Sequence, residues 1–281
     1  MDPDAEAEQT ASTILKTTVI SVVFTACHSY QTETNASVNN IQFSLPDSTA
    51  KKITAVTTKK KKKKTIYLTF DDGPNKGTRK VMHIAEQEEM PITMFIIGSQ
   101  VYGSREQTAT YDSLLQSNFV EIADHSYSHA HNAYAKFYTR PDSVINDFIR
   151  CEDSLHLSKK IIRTPGRNIW RTNSITSTDL KNSEAAADSL RSNGFTVVGW
   201  DLEWSFDNAL NVTNTGDELL QQVDSAFSKR KTKTPDHLVL LAHDQVYADA
   251  EDSARLHQFM AKLKNSNEYN FEVISNYPGV Q

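Results

Sequence analysis

Two short polar runs carry residue types that catalysis uses. The first is Asp71-Asp72, which Gly73 and Pro74 follow directly at the end of the β-rich run Ile66–Phe70. Neighbouring side chains of an extended segment point in opposite directions, so the two carboxylates are expected to serve different partners. The same four residues are also good material for a turn that ends a strand. Taken alone, the turn is the better interpretation.

The second run places two histidines four residues apart. His125 and His129 follow the β-rich run Phe119–Ala123. At this spacing both imidazoles can face one side of a helical turn and bind one metal ion. Surface histidines also fall at this spacing by chance, and His131 is poorly placed to join the same ion. The pair by itself is therefore moderate evidence for a metal site.

From Thr65 onward, short β-rich runs alternate with amphipathic helical stretches. The predicted strands are Ile66–Phe70, Ile92–Ile97, Phe119–Ala123, Lys160–Arg163, Phe195–Trp200, His237–Ala242 and Phe271–Ser275. The predicted helices are Gly77–Met90, Arg105–Ser117, Ser143–Leu157, Thr178–Ser192, Gly216–Arg230 and Ala250–Asn265. Because parallel strands need crossover connections, this order predicts an α/β fold with a mainly parallel sheet.

The polar residues stand where such a fold collects its functional groups. In parallel α/β folds these groups gather at the carboxyl ends of the strands. Arg163 ends the fourth predicted strand, Asp201 the fifth and His243 the sixth. Together with the two runs above, most strands end in Asp, His or Arg, whereas ordinary turns favour Gly, Asn and Ser. The pattern therefore indicates one active site built from several strand ends.

These motifs resemble those of the polysaccharide deacetylases of carbohydrate esterase family 4, the NodB-homology domain. Thr69–Pro74 (TFDDGP) matches the first family motif, and His125–His129 (HSYSH) matches the second, H-[ST]-x-x-H. Ile92–Gly98 (ITMFIIG) is similar to the family's apolar strand, and Leu241–His243 (LAH) meets the fifth motif. The resemblance covers about residues 65–277. It implies an incomplete (β/α)7 barrel, in agreement with the seven predicted strands.

The resemblance implies a role for each residue of the first two motifs. Asp72, His125 and His129 would hold one divalent metal ion, with Zn2+ expected and Co2+, Ni2+ or Mn2+ as alternatives. Asp71 would be the general base that takes a proton from the attacking water. Arg163 would hold and tune Asp71.

The remaining roles fall partly on motifs that depart from the family. His243 would protonate the leaving amine, with Asp201 raising the pKa of that imidazole. Gly166 stands where the third motif, R-x-P-[YF], has an aromatic residue. Its N–H would bind the oxyanion, and Trp170 would replace the missing wall. The fourth motif, D-x-x-D-W, is one residue shorter here (DLEW), and Trp204 would line the pocket for the acetyl methyl group.

The resemblance implies hydrolytic removal of acetyl groups from a polysaccharide substrate. N-acetylglucosamine units of peptidoglycan are expected ahead of chitin-like oligomers if the chain is exported. An acetyl-xylan O-esterase would use the same site, and a carbohydrate-binding relic without catalysis is the alternative from another class. The complete set of ligands, acid and base counts against the relic, because a retired site has no physical need for it.

The net charge and the cysteine count of the chain argue against some classes of partner and of protein. The net charge is −5, and the lysines are concentrated near the N-terminus, which leaves an acidic body that argues against a nucleic-acid partner. With only two cysteines, Cys27 and Cys151, the chain is neither a disulfide scaffold nor a cysteine-rich zinc domain. The oligomeric state is left open by the sequence.

The N-terminal residues resemble a bacterial export signal. Val19–Ala26 is a short apolar run, and Thr25-Ala26 precede Cys27 as small residues precede a lipid-acceptor cysteine. The acidic opening MDPDAEAE and the bulky Phe24 depart from that pattern, and a disordered leader with an incidental cysteine is the alternative. We expect residues 1–27 to be a leader, 28–64 a disordered Lys-rich linker and 65–281 the deacetylase domain. A lipidated Cys27 would attach the chain to a membrane of the bacterial cell envelope.

Overall fold

The computed structural model describes residues 62–280. The predicted leader, Cys27 and all of the predicted linker before residue 62 lie outside the described residues. The strands are β1 (Lys64–Gly73), β2 (Ile92–Ile96), β3 (Val120–Asp124), β4 (Ile161–Ile162), β5 (Trp170–Arg171), β6 (Thr176–Ser177), β7 (Thr196–Val197), β8 (Leu202–Glu203), β9 (His237–His243) and β10 (Tyr269–Phe271). The helices are α1 (Thr78–Gln87), α2 (Gly98–Val101), α3 (Arg105–Gln116), α4 (Tyr134–Phe137), α5 (Pro141–Leu155), α6 (Glu184–Ser192), α7 (Gly216–Ser228) and α8 (Ala250–Ser266).

All the strands belong to one mixed sheet. Its order is β6-β5-β7-β4-β3-β2-β1-β9-β8, with β10 also paired to β1. Every pairing is parallel except those that β5 makes with β6 and β7. Because β6 and β8 at the two ends of this order do not pair with each other, the sheet is an open half-barrel. The predicted α/β fold with a mainly parallel sheet is confirmed.

The predicted elements agree with the structure where the apolar pattern is long. All six predicted helices are present, and six of the seven predicted strands overlap observed ones. The seventh meets β10 only at Phe271, because Ile274–Asn276 forms a 3-10 turn instead. The sequence did not predict β5, β6 or β8, whose two residues each are too few to show a period.

β1 lies in the middle of the sheet and is buried on both faces. Ile66, Leu68 and Phe70 pack into the cluster that contains residues of α1, α7 and α8. Tyr67 points to the other face, where it packs against Tyr277. Burial on both faces explains why Ile66–Phe70 is mostly apolar, with Thr69 as its one polar residue, rather than alternating. It also places the end of β1 deep within the molecule.

Side chains that satisfy free backbone N–H groups mark the beginnings of the two C-terminal helices. Thr215 and Glu218 form a capping box at α7, and Asp249 accepts from the first N–H groups of α8. Within residues 62–280, no helix combines the length and apolar character that crossing a membrane requires.

The start of α1 lies in close contact with the chain after β9. A Cβ at Gly77, the residue before α1, would stand 1.7 Å from the backbone oxygen of Asp244. Only glycine allows this approach without a backbone movement. Gly77 therefore permits the contact that joins the segment after β1 to the segment after β9.

Gly77→Ala tests this contact. We expect the substitution to lower the free energy of unfolding by about 1–3 kcal/mol, because the added methyl group displaces backbone rather than a flexible side chain. Urea denaturation followed by circular dichroism measures the loss. Gly103→Ala is the matched control, since its Cβ would meet the mobile end of Gln107. Equal losses in the two variants would contradict this account.

Candidate active site

A β-bulge at the end of β1 brings two neighbouring carboxylates to one place. The register against β2 shifts between Asp71 and Gly73, and Asp72 between them adopts a left-handed φ of 75°. Asp71 Oδ2 lies 3.6 Å from His125 Nε2, and Asp72 Oδ1 lies 3.4 Å from the same nitrogen. The expectation that the two side chains point apart is therefore wrong, because the bulge interrupts the alternation of the strand.

The two histidines meet through a turn rather than along a helix. His125 directly follows β3, whereas His129 begins a run of four residues, 129–132, with φ between 49° and 55°. L-residues rarely adopt this left-handed conformation in succession. The turn nevertheless carries His129 Nε2 to 3.1 Å from Asp72 Oδ1. The predicted pairing of the imidazoles is present, but the helical face that was expected to create it is not.

Asp72, His125 and His129 fit one divalent metal ion. Each offers a ligand atom, and these three atoms lie within 4.8 Å of one another. His125 Nδ1 lies 3.0 Å from the carbonyl oxygen of Arg163, which can only accept, so Nδ1 carries the proton and Nε2 presents a lone pair. Asp72 Oδ1 is buried and has no hydrogen-bond partner of good geometry within residues 62–280. One carboxylate oxygen and two imidazole nitrogens face each other here, and a cation between them would bind to all three.

The side chain of Arg163 fixes the orientation of the Asp71 carboxylate. The Arg163 side chain is fully buried, and Nη1 donates to Asp71 Oδ1 at 2.8 Å and to Thr69 Oγ1 at 2.8 Å. Nε and Nη2 donate to the carbonyl oxygens of Val198 and Gly199. Burial lowers the pKa of Arg163, but a guanidinium remains charged in proteins. Asp71 therefore has one oxygen held by Arg163 and the other, Oδ2, facing the metal ligands.

A cavity of about 630 Å³ opens over these residues. Gly166 lines it with a φ of 62°, and a Cβ there would lie 3.1 Å from the ring of Tyr134. Trp170, the expected replacement for the missing aromatic wall, is fully buried in the core instead. The cavity takes its aromatic surface from three other residues, Tyr134, Trp200 and Phe206.

His243 lies at the end of β9 and lines the cavity, but Asp201 does not support it. The Asp201 carboxylate accepts from the backbone N–H groups of Lys233 (2.7 Å) and Val239 (2.9 Å). Val239 stands four residues before His243, roughly 13 Å along the strand, so the expected pairing is wrong. Burial raises the pKa of Asp201 to about 6. His243 Nδ1 is buried without a hydrogen-bond partner in the described part of the chain.

In the fourth motif, Glu203 lines the cavity, whereas Trp204 was expected there. Trp204 is buried, donates from Nε1 to the carbonyl of Asn214 and packs on Phe259, so its predicted place in the acetyl pocket is wrong. Glu203, which sequence reasoning missed, lines the cavity. It pairs in register with Leu241, two residues before His243, and therefore shares that face of the sheet. Because β8 has only two residues, no local pattern in the sequence identifies Glu203 as a cavity residue.

A fully buried carboxyl, that of Asp244, lies behind the site. It accepts hydrogen bonds from Thr78 Oγ1 and Asn75 Nδ2 and so ties the chain after β9 to the chain after β1. Burial, together with the charges of Asp72 and Asp71, raises the pKa of Asp244 to about 7. The folded protein therefore holds a proton at Asp244 that an unfolded chain releases near pH 4.

This difference predicts how the stability of the metal-free protein depends on pH. The folded pKa is raised, so the contribution of Asp244 is fully present below pH 4 and is lost as the pH rises toward 7, by roughly 4 kcal/mol in total. Asp244→Asn should remove this part of the pH dependence. Urea denaturation between pH 4 and pH 7 measures it, with the exposed Asp207→Asn as control. Parallel curves for Asp244→Asn and the parent protein would refute the assignment.

Comparison with known proteins finds similarity to polysaccharide deacetylases. Residues 58–175 match the family model described as polysaccharide deacetylase. The chain is 24% identical to the chitin disaccharide deacetylase of Vibrio alginolyticus, over 76% of this chain and 71% of that protein.

Solved structures share the fold. A family 4 carbohydrate esterase from Streptococcus mutans has 21% identity and a TM-score of 0.57, covering 75% of this chain and 86% of its own. The family 4 carbohydrate esterase from Streptomyces lividans, solved with acetate, has 21% identity and a TM-score of 0.52, covering 77% and 95%. The segment that matches the family model contains Asp71, Asp72, His125 and His129. The resemblance to the polysaccharide deacetylases of carbohydrate esterase family 4 that was drawn from the sequence is confirmed.

Proposed function

We propose that this chain is a metal-dependent hydrolase that removes acetyl groups from N-acetylglucosamine units of peptidoglycan or of chitin-like oligomers. The observation that carries the proposal is the convergence of Asp72, His125 and His129 beside Asp71 at the floor of one cavity. Zn2+ is the proposed ion, since one carboxylate and two neutral imidazoles suit it, and Co2+, Ni2+ or Mn2+ would be accepted by the same set.

Asp71 is the proposed proton acceptor. A divalent ion bound by the three ligands would acidify water and polarise the acetyl carbonyl. Asp71 Oδ2 faces this position, while Arg163 holds Oδ1 and fixes the orientation of the carboxylate. The base can therefore take the proton of the attacking water without moving.

His243 is the proposed proton donor to the leaving nitrogen. An amine leaves far more readily than an amide anion, so cleavage of an acetamide needs an acid. β9 pairs with β1 so that His243 stands in register with Asp71, and the proposed acid and base are therefore on adjacent strands. Glu203 is one of the carboxylates that line the cavity together with His243. The backbone N–H of Gly166, also at the cavity, is the proposed oxyanion donor.

The cavity surface supports a sugar as substrate. Aromatic rings at Tyr134, Trp200 and Phe206 offer flat apolar faces, and polar side chains such as Asn132 and Gln245 line the same space. The similarity to a chitin disaccharide deacetylase favours a chitin-like substrate, and export to the bacterial envelope through Cys27 would favour peptidoglycan. An acetyl-xylan esterase and a non-catalytic binding protein are the two alternatives that the experiment below separates.

The proposal predicts metal-dependent release of acetate. Protein loaded with Zn2+ is incubated with chitin oligomers, peptidoglycan and acetylated xylan, and acetate is measured. We expect release from the first two, loss of activity after dialysis against a chelator, and recovery when Zn2+ is returned. Asp71→Asn should lower kcat at least 100-fold because it removes the proton acceptor.

Asp207→Asn, at an exposed loop, is the matched control and should retain the parent rate. His125→Ala should lose bound metal by elemental analysis. Acetate from xylan alone would support the esterase. No acetate from any polymer, with no metal retained, would support the binding protein and end the deacetylase proposal.

The role of His243 predicts a dependence on the leaving group. His243→Gln should lower kcat on an acetamide substrate at least 100-fold but hardly change cleavage of 4-nitrophenyl acetate, whose phenolate leaves without a proton. Asp201→Asn should leave both rates within about two-fold, since its carboxylate bonds to Lys233 and Val239 instead. Equal losses of His243→Gln on both substrates would contradict the acid assignment.

A further inference from the structure

Tyr134 is a cavity residue that belongs to none of the family motifs. It is the first residue of α4 and follows the left-handed turn that begins at His129. Its ring stands perpendicular to the imidazole of His129, with centroids 5.7 Å apart and an interplanar angle of 89°. The same ring covers Gly166, where a Cβ would lie 3.1 Å from it. One side chain thus contacts a metal ligand and the proposed oxyanion donor.

The hydroxyl of Tyr134 joins a small polar network. It lies 3.3 Å from Asn132 Oδ1 and 3.4 Å from His129 Nδ1, while His129 Nδ1 lies 3.1 Å from Asn132 Oδ1. When His129 Nε2 offers its lone pair to a metal, Nδ1 must carry the proton and donate it. Asn132 Oδ1 then accepts from both Nδ1–H and the Tyr134 hydroxyl. The hydroxyl oxygen of Tyr134 also lies close to the Nδ1–H group of His129.

The two histidine ligands are held by different means. His125 is almost fully buried, and its Nδ1 donates to a backbone carbonyl at the end of β4, so the sheet itself fixes the ring. His129 is partly exposed, with 20% of its side chain accessible. Among residues 62–280, its Nδ1 lies within hydrogen-bond distance of the side chains of Asn132 and Tyr134 alone. Its backbone and that of Asn132 are left-handed, a conformation that must be stabilised by such contacts.

Tyr134 also replaces a group that the loop after β4 does not supply. Gly166 has no side chain, and its left-handed φ would strain any other residue. The ring of Tyr134 fills the space over its Cα, on the cavity side. The aromatic wall next to the oxyanion position therefore comes from α4, a different part of the chain.

We propose that Tyr134 is a positioning and specificity residue of this site. Its hydroxyl, through Asn132, holds His129 in the orientation that binds metal, and its ring is the wall against which the acetylated sugar packs. The inference rests on the proposed function for the identity of the metal and the substrate. The two roles are separable, because phenylalanine keeps the ring and loses the hydroxyl, whereas alanine loses both.

The test compares Tyr134→Phe and Tyr134→Ala with Tyr102→Phe, an exposed tyrosine whose hydroxyl bonds to Ser154 and which does not line the cavity. Zn2+ affinity is measured by competition with a chromophoric chelator. The values of kcat and KM are measured on chitin oligomers at saturating Zn2+. Tyr134→Phe should weaken Zn2+ binding about 10-fold, with KM within two-fold and kcat restored by excess Zn2+. Tyr134→Ala should weaken Zn2+ binding similarly and raise KM about 10-fold or more.

Asn132→Ala provides a second route to the same network. It should weaken Zn2+ binding like Tyr134→Phe, and the double variant should lose little more, because the two side chains act as a unit. Wild-type Zn2+ affinity in Tyr134→Phe would overturn the hydroxyl role, and an unchanged KM in Tyr134→Ala would overturn the wall. Failure of the parent protein itself to bind Zn2+ or release acetate would instead refute the proposed function.

Discussion

The buried guanidinium of Arg163 is the group on which the site depends. A charge without solvent is tolerated only when its hydrogen bonds are satisfied and an opposite charge is near. Here the partners are Asp71, Thr69 and two carbonyl groups that follow β7, so a single side chain connects β1, β4 and the chain after β7. The carbonyl of Arg163 also orients His125. The proposed base and one proposed metal ligand are therefore positioned by the same residue, one through its side chain and one through its backbone.

Asp72 and His129 reach the site through backbone conformations that L-residues disfavour. Asp72 at the bulge and the four residues of the turn from His129 all have positive φ. Such strain persists where surrounding contacts hold it, and it is concentrated at functional sites. Asp244 provides one of these contacts beneath the bulge, through Asn75 and Thr78. The strained segments bring Asp72 and His129 within 3.1 Å, which a regular strand and helix would not achieve.

The aromatic surface of the cavity comes from separate segments of the chain. Gly166 leaves a space beside the metal ligands, and Tyr134 fills it from α4. Trp200 and Phe206 line other parts of the cavity, whereas Trp170 and Trp204 turn inward and stabilise the core. Tyr134, Trp200 and Phe206 therefore form the aromatic surface that a sugar would contact.

The sequence by itself determined the elements and the central residues. Long apolar periods identified the helices and the main strands, and the motifs that contain Asp71, Asp72, His125 and His129 indicated the candidate metal site, because both signals are local. Only the tertiary structure decided which way Glu203 and Trp204 face, that Asp201 bonds to Val239 rather than His243, and that Tyr134 covers Gly166. These outcomes depend on the register of two-residue strands and on contacts between distant segments. Local residue patterns carry no information about either.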